Sequence, residues 1–301
     1  MRTAFIEQLI SEAKTDPSVF LIVGDLGFSV VEPFAELFPD RFLNAGVAEQ
    51  NMTGLAAGLA TQGYTVFTYS IANFPTLRCL EQIRNDVCYH NVNVKVVAVG
   101  GGYAYASLGA SHHATEDLGI MRVLPNMVVT APGDPVEARA IVSQLIAHKG
   151  PAYIRLGKAG EPVVHGIDTK IQFGKAIKLF DGNKGVVLST GSMLKYSHDF
   201  IRNGNHDVGL YSFPYIKPLD VPTLLELSKK YNIFYTIEEH QKAGGFGSAV
   251  LEELNELVSK DQIKSMPIIH RIAIPDTYIS VAGSQEYLRK LAGLTLENVI
   301  R

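Results

Sequence analysis

The sequence predicts an α/β protein of two domains, and three observations lead there. Short β-branched runs alternate with helical stretches over residues 1–156. A segment bearing Gly and Pro, with little periodicity, follows at 157–170. The alternation then resumes toward the C-terminus. With 301 residues, 47% of them hydrophobic, the chain carries enough apolar side chain for two cores.

Taken in order, the first helix shows Phe5, Ile6, Leu9 and Ile10 at helical spacing. Strands are expected at 19–23, 65–69, 94–99, 127–131 and 152–156, giving a wound, mostly parallel sheet. A helix with Ile141, Leu145 and Ile146 on one face begins sharply, because Asp134 can cap it and Pro135 sits where a missing N–H costs nothing. Another helix start is expected at Thr115, with Glu116 and Asp117 in the first turn. Beyond the 157–170 linker, strands at 185–190, 207–213, 233–238 and 268–274 alternate with helices near 192–203, 220–230 and 246–259. The expected domains are therefore 1–160 and a smaller α/β unit at 171–301.

Charge and cysteine usage narrow the function. A net charge of −3 with scattered charged residues offers no basic field for nucleic acid. Cys79 and Cys88 lie nine positions apart in an expected helix without a CxxC pattern, which indicates neither a disulfide scaffold nor a metal knuckle. The N-terminus lacks an apolar signal segment, and no run of 18 apolar residues occurs, so a soluble cytoplasmic protein is expected.

The chemistry concentrates in three loops, since ligands of open α/β sheets bind beyond the carboxyl ends of strands. The first leads into Gly46-Val47-Ala48-Glu49-Gln50-Asn51-Met52, where Glu49 is the only acid between Arg41 and Glu81. Gly54, Ala56, Ala57, Gly58 and Ala60 keep the following helix slim, which suits either tight packing or close approach of a flat ligand to the carboxyl. The second loop, Ser70 to Pro75, offers Phe74 as a stacking face or as core. The third, 100–113, begins with three glycines and ends in His112 and His113, imidazoles suited to proton transfer or to capping the next helix. Adjacent histidines diverge on a regular element, and no His-Glu-x-x-His pattern is present, so no metal ligands are assigned. Neither a G-x-G-x-x-G nor a G-x-x-x-x-G-K-[ST] segment appears.

Over nearly its whole length the chain resembles the transketolase family, and within it the separately encoded C-terminal subunit of split transketolases. The resemblance rests on the Gly46–Met52 segment, Glu81-Gln82-Ile83-Arg84-Asn85, Ser111-His112-His113-Ala114-Thr115-Glu116-Asp117, Leu124-Pro125-Asn126-Met127, Lys217-Pro218-Leu219-Asp220, and Glu238-Glu239-His240 with Gly244-Gly245. It implies a thiamine diphosphate-binding pyrimidine domain with a mostly parallel sheet, followed by the transketolase C-terminal domain. The family's Gly-Asp-Gly diphosphate motif has no match here; Gly24-Asp25-Leu26 belongs to the pyrimidine domain. The implied partner is an N-terminal transketolase-like subunit of about 270 residues. It would bring Mg2+ or Ca2+ and most diphosphate contacts, in a heterotetramer containing a second copy of this chain.

The resemblance also implies roles. Glu49 would hydrogen-bond the pyrimidine ring nitrogen opposite the amino group, Phe74 would stack on that ring and Ile71 would wall it. His112 would contact a substrate oxygen. Lys158 stands where an arginine commonly meets the phosphate end of a sugar, a point charge in place of a bidentate fork. Leu108 replaces an aspartate that reads a substrate hydroxyl, and Gly100 replaces a histidine that reaches the donor. The cofactor half of the site is kept and the sugar half altered. The expected activity is transfer of a two-carbon ketol unit from a ketose or modified sugar to an aldehyde. The alternatives are a 1-deoxyxylulose-5-phosphate synthase-like or 2-oxo-acid decarboxylase subunit, or a structural subunit without catalysis.

Overall fold

A computed structural model describes residues 1–300. Its strands are β1 (Val19–Val23), β2 (Phe42–Asn44), β3 (Thr65–Ile71), β4 (Val94–Val99), β5 (Val128–Thr130), β6 (Ala152–Leu156), β7 (Ile177–Phe180), β8 (Val186–Ser189), β9 (Gly209–Ser212), β10 (Tyr215–Lys217), β11 (Ile233–Gln241) and β12 (Ile268–Ile274). They form a seven-stranded sheet in the order β10-β5-β6-β4-β3-β1-β2 and a five-stranded sheet in the order β12-β11-β8-β9-β7. Every pairing in the first sheet is parallel except β10 with β5, and every pairing in the second except β7 with β9.

Burial on both faces explains why the strands of the first sheet read as continuous apolar runs. Phe67 and Val97 face a core under the helices Arg2–Ala13 and Pro135–Ala147, whereas Val66 and Val96 face a core under the helix Glu49–Thr61. That second core continues without a break into Leu188, Phe213, Phe234 and Phe246 of the second half of the chain. A third core joins Tyr103 and Ala106, from the loop after β4, to Leu210, Ile237 and Leu288. The two halves of the chain are thus welded through apolar side chains and through β10, a strand lent by the second half to the first sheet.

Several elements differ from the sequence expectation. Strands β2, β7 and β10 span only three or four residues, too few to show a period. The helix expected from Thr115 begins at Asp117, with Glu116 at its cap. Thr115 instead lies in a bend before the helix, its carbonyl accepting from Gln241 N at 2.7 Å and its N–H donating to Glu116 Oε2 at 3.1 Å. The capped helix at 135 starts as read, Asp134 Oδ1 accepting from Glu137 N at 2.9 Å. Cys79 closes a 3-10 turn and Cys88 lies in a π-helical run, Ile83–Tyr89; both are free and buried, and burial raises each thiol to about 11. Among the described residues no helix is long and apolar enough to cross a membrane.

Candidate active site

Because β1, β3, β4 and β6 lie side by side and run the same way, the loops leaving their carboxyl ends share one crest of the sheet. Glu49 starts the helix Glu49–Thr61 at this crest, where an acid also suits the helix dipole. Its side chain is 1% exposed, and Arg78 Nη1 meets its Oε2 at 2.8 Å. Among the described residues Oε1 has only the Ser70 hydroxyl, at 3.5 Å, the outer limit of a hydrogen bond. Gly24 permits this arrangement, since a Cβ there would lie 3.2 Å from Ser70 Oγ and 3.4 Å from Glu49 Cγ.

Phe74 and His112 complete the cluster. The Arg78 guanidinium carbon sits 4.8 Å from the centroid of the Phe74 ring, and His112 meets that ring edge-on at 5.3 Å. Ser111 Oγ lies 3.0 Å from His112 Nδ1, and Asn73 Nδ2 donates to Ser111 O at 2.8 Å, tying the loop after β3 to the loop after β4. Ile71 ends β3 next to Ser70, and its carbonyl accepts from Phe74 N at 2.8 Å. The two histidines part company here. His112 is partly open, while His113 is buried, its imidazole pushed below the usual range by burial and set edge-on to Tyr103 at 5.1 Å.

Gly100 and Lys158 form a second group toward β6. Gly100 has φ +85°, and a Cβ on it would lie 2.1 Å from Cε2 of Tyr105, so the Tyr105 ring occupies the space of any side chain at 100. The Lys158 ammonium, on the exposed turn after β6, stands 5.6 Å from the same ring. Leu108 ends the 3-10 turn Ala106–Leu108, with 53% of its surface in solvent. A cavity of about 780 Å³ opens away from both groups, between the helix Asp117–Arg122 and the turn at Lys242 to Gly244.

Arg78, Ser70, Tyr105 and Glu239 shape these groups and were not singled out from sequence as site-shaping residues. For Arg78 a signal did exist. Between Arg41 and Glu81 the chain carries just two charged residues, Glu49 and Arg78, and an isolated acid and base in an apolar stretch are candidates for each other. Tyr105 and Glu239 carry no such signal, because their roles come from contacts across loops and domains.

The fold and this crest define the class. Residues 1–160 match the model of the transketolase pyrimidine-binding domain, and residues 174–299 that of the transketolase C-terminal domain. The chain is 32% identical over 299 residues to a subunit of an apulose-4-phosphate transketolase from Actinobacillus succinogenes, covering 98% of this chain and 94% of that one. It is 31% identical over 306 residues to a 6-deoxy-6-sulfo-D-fructose transketolase subunit from a Clostridium species, covering 100% and 92%. A solved split-gene transketolase, an inactive beta4 tetramer, superposes with a TM-score of 0.86 at 34% identity, covering 99% of this chain and 94% of that one. The protein belongs to the transketolase family, as the pyrimidine-binding and C-terminal subunit of a split enzyme of the thiamine diphosphate-binding fold.

Proposed function

We propose that this chain supplies the aminopyrimidine and substrate side of a thiamine diphosphate-dependent ketol-transferase site, completed by a partner subunit. The carrying observation is the carboxylate of Glu49, buried yet with one oxygen held only by a 3.5 Å contact. A buried carboxylate keeps spare acceptor capacity at a cost, and a ring nitrogen that shares its proton would use it. The surrounding residues fit a planar heterocycle: Phe74 offers a ring, Ile71 an apolar wall, and Gly24 leaves the approach to Glu49 slim. Arg78 must share Glu49 with that ring or swing aside, which its 47% exposure permits.

When bound, the cofactor supplies a carbon nucleophile that cleaves the bond beside a ketose carbonyl. Glu49 then holds a proton at the pyrimidine nitrogen, and His112, next to Phe74, hydrogen-bonds a substrate oxygen. The two relatives are named for a phosphorylated and a sulfonated sugar, donors that both end in a tetrahedral oxyanion. To Lys158 we assign the meeting of such an end, as a point charge. Leu108 and the Tyr105 ring over Gly100 give the donor side an apolar lining that favours a modified sugar over an ordinary ketose phosphate. We assign Mg2+ or Ca2+ and most diphosphate contacts to an N-terminal subunit of about 270 residues, in a heterotetramer with two copies of this chain. Residues 1–160 form the pyrimidine unit and 171–301 the C-terminal unit of this assignment.

Calorimetric titration of thiamine diphosphate with Mg2+ into the chain, alone and mixed with the partner, tests the reading. Binding in the mixture only is the expected result; no binding in either sinks it. A donor screen on the mixture then separates ketol transfer from decarboxylation, which releases CO2.

A further inference from the structure

Glu239 belongs to the second sheet, yet it reaches the loop that carries His112. It lies on β11, 1% exposed, and its Oε1 accepts from the backbone N–H of Tyr103 at 2.8 Å. Gln285 Nε2 stands 3.0 Å from each carboxylate oxygen, and Ser192 Oγ donates to Oε2 at 2.7 Å. Arg289 donates to Oε2 through Nε at 3.0 Å and also through Nη2. Burial alone would raise this carboxyl, but Arg289 and the other donors outweigh it and hold it below the usual carboxylate range.

The approach of Glu239 to the loop depends on Gly102, where a Cβ would lie 2.6 Å from Glu239 Cγ and where φ is +65°. Gly102 and Ala114 form an isolated antiparallel bridge, with N–H to O distances of 2.7 and 3.0 Å, closing the loop at its base. Arg155 locks the base to β11 by donating through Nη2 to Ala114 O at 2.6 Å and to Glu239 O at 2.9 Å. Tyr103 and Ala106 pack in the same core as Leu288, three residues after Gln285.

We infer that Glu239 is a positioning residue for the reaction. Through the Tyr103 amide it fixes the 102–114 loop in the conformation that sets His112 against Phe74. A loop opening on three consecutive glycines has much backbone freedom to lose, and a charge-assisted bond to a buried carboxylate is a strong single anchor for it. All of that carboxylate's acceptor capacity goes to Tyr103, Gln285, Ser192 and Arg289, so it holds the loop and takes no part in proton transfer. The C-terminal unit thereby sets the geometry of a site whose reacting groups lie elsewhere.

Amide hydrogen exchange on the full chain tests this directly. In Glu239→Ala, amides of residues 102–114 should exchange about 10-fold faster, while those of β1 and β3 keep their rates. Should that variant fail to fold, Glu239→Asp keeps the charge beside Arg289 but withdraws the acceptor from Tyr103, and the same local acceleration is expected. Unchanged exchange of the loop in a folded variant overturns the proposal. In the reconstituted pair, and resting on the function proposed above, kcat should fall about 10-fold in either variant with the thiamine diphosphate Kd unchanged. A drop in cofactor affinity equal to the drop in kcat would mean a merely structural role. The exchange result stands whether or not a donor is found, so failure of the ketol-transfer reading and failure of this one are distinguishable.

Discussion

Glu49 and Glu239 are both 1% exposed, and they differ in how their oxygens are occupied. Glu239 receives hydrogen bonds from a backbone N–H, a carboxamide, a hydroxyl and a guanidinium. Glu49 receives one good bond from Arg78, itself half in solvent, and one long contact from Ser70. Burial alone therefore does not mark a reacting acid. The distinguishing feature is unused acceptor capacity beside an open face, because a fully satisfied carboxylate has nothing left to offer a ligand. In the roles proposed above, Glu239 works on the chain itself and Glu49 on something that arrives.

The sharpest way to break this comparison is Glu49→Gln. The carboxamide keeps the shape and still offers an oxygen to Arg78, so folding should change little, whereas turnover with the partner should fall about 10³-fold, as for loss of an essential acid–base group. Urea denaturation and steady-state kinetics read the two effects separately; a variant that keeps its turnover would remove Glu49 from the chemistry. Next in size is His112→Ala. Its imidazole meets the Phe74 ring edge-on and pairs with Ser111 Oγ, so its removal should lower kcat about 10²-fold and leave the thiamine diphosphate affinity alone. Equal loss of both would place His112 with Glu239 among the residues that hold the loop.

How much of this was legible in the sequence follows from the range of each interaction. Strands buried on both faces announce themselves as apolar runs, and the Asp134-Pro135 start is a local cap, so both are readable from neighbours in the chain. The Gly46–Met52 and Ser111–Asp117 segments carry Glu49 and His112 as motifs, and Phe74 comes with the same resemblance. What could not be read is whatever joins distant segments. Tyr105 folding back over Gly100 is visible only as a missing Cβ, and β10 crossing to β5 depends on the packing of the two halves. Glu239 reached Tyr103 across 136 positions of sequence. Thr115 failed as a helix start for the same reason, since its carbonyl is taken by the distant Gln241 N–H.

A smaller effect probes the donor side. Leu108 is 53% exposed, so Leu108→Asp should fold normally. If the apolar lip excludes donors that need an acceptor there, the variant should gain about 10-fold in kcat/KM toward an ordinary ketose phosphate. No gain would shift the selectivity to the Tyr105 ring over Gly100.

The smallest effect concerns a third buried acid, and it extends the comparison to one that titrates. Glu137 is fully buried and accepts from Ser212 Oγ and Gly133 N, each at 2.5 Å, with His165 Nε2 at 3.5 Å. His165 comes from the segment between the two domains, and its Nδ1 lies 3.2 Å from Asp134 Oδ2. Burial pushes Glu137 up to about 7, against the attraction of His165, while Asp134 and Glu137 raise the imidazole of His165. Both folded-state values exceed the unfolded ones, so folding takes up protons at this cluster. The stabilisation is complete below the unfolded carboxyl range and is lost as pH rises through about 7. Between pH 6 and 8.5 the Glu137 contribution amounts to about 1 kcal/mol. Glu137→Gln mimics the protonated acid and should unfold in urea near the wild-type midpoint at pH 6, yet lose less than the wild type at pH 8.5. The part of the His165 share that Asp134 supplies should remain in the variant. A variant with the full wild-type slope would mean that Glu137 stays ionised throughout, balanced by His165, and that this third carboxylate is satisfied in the manner of Glu239.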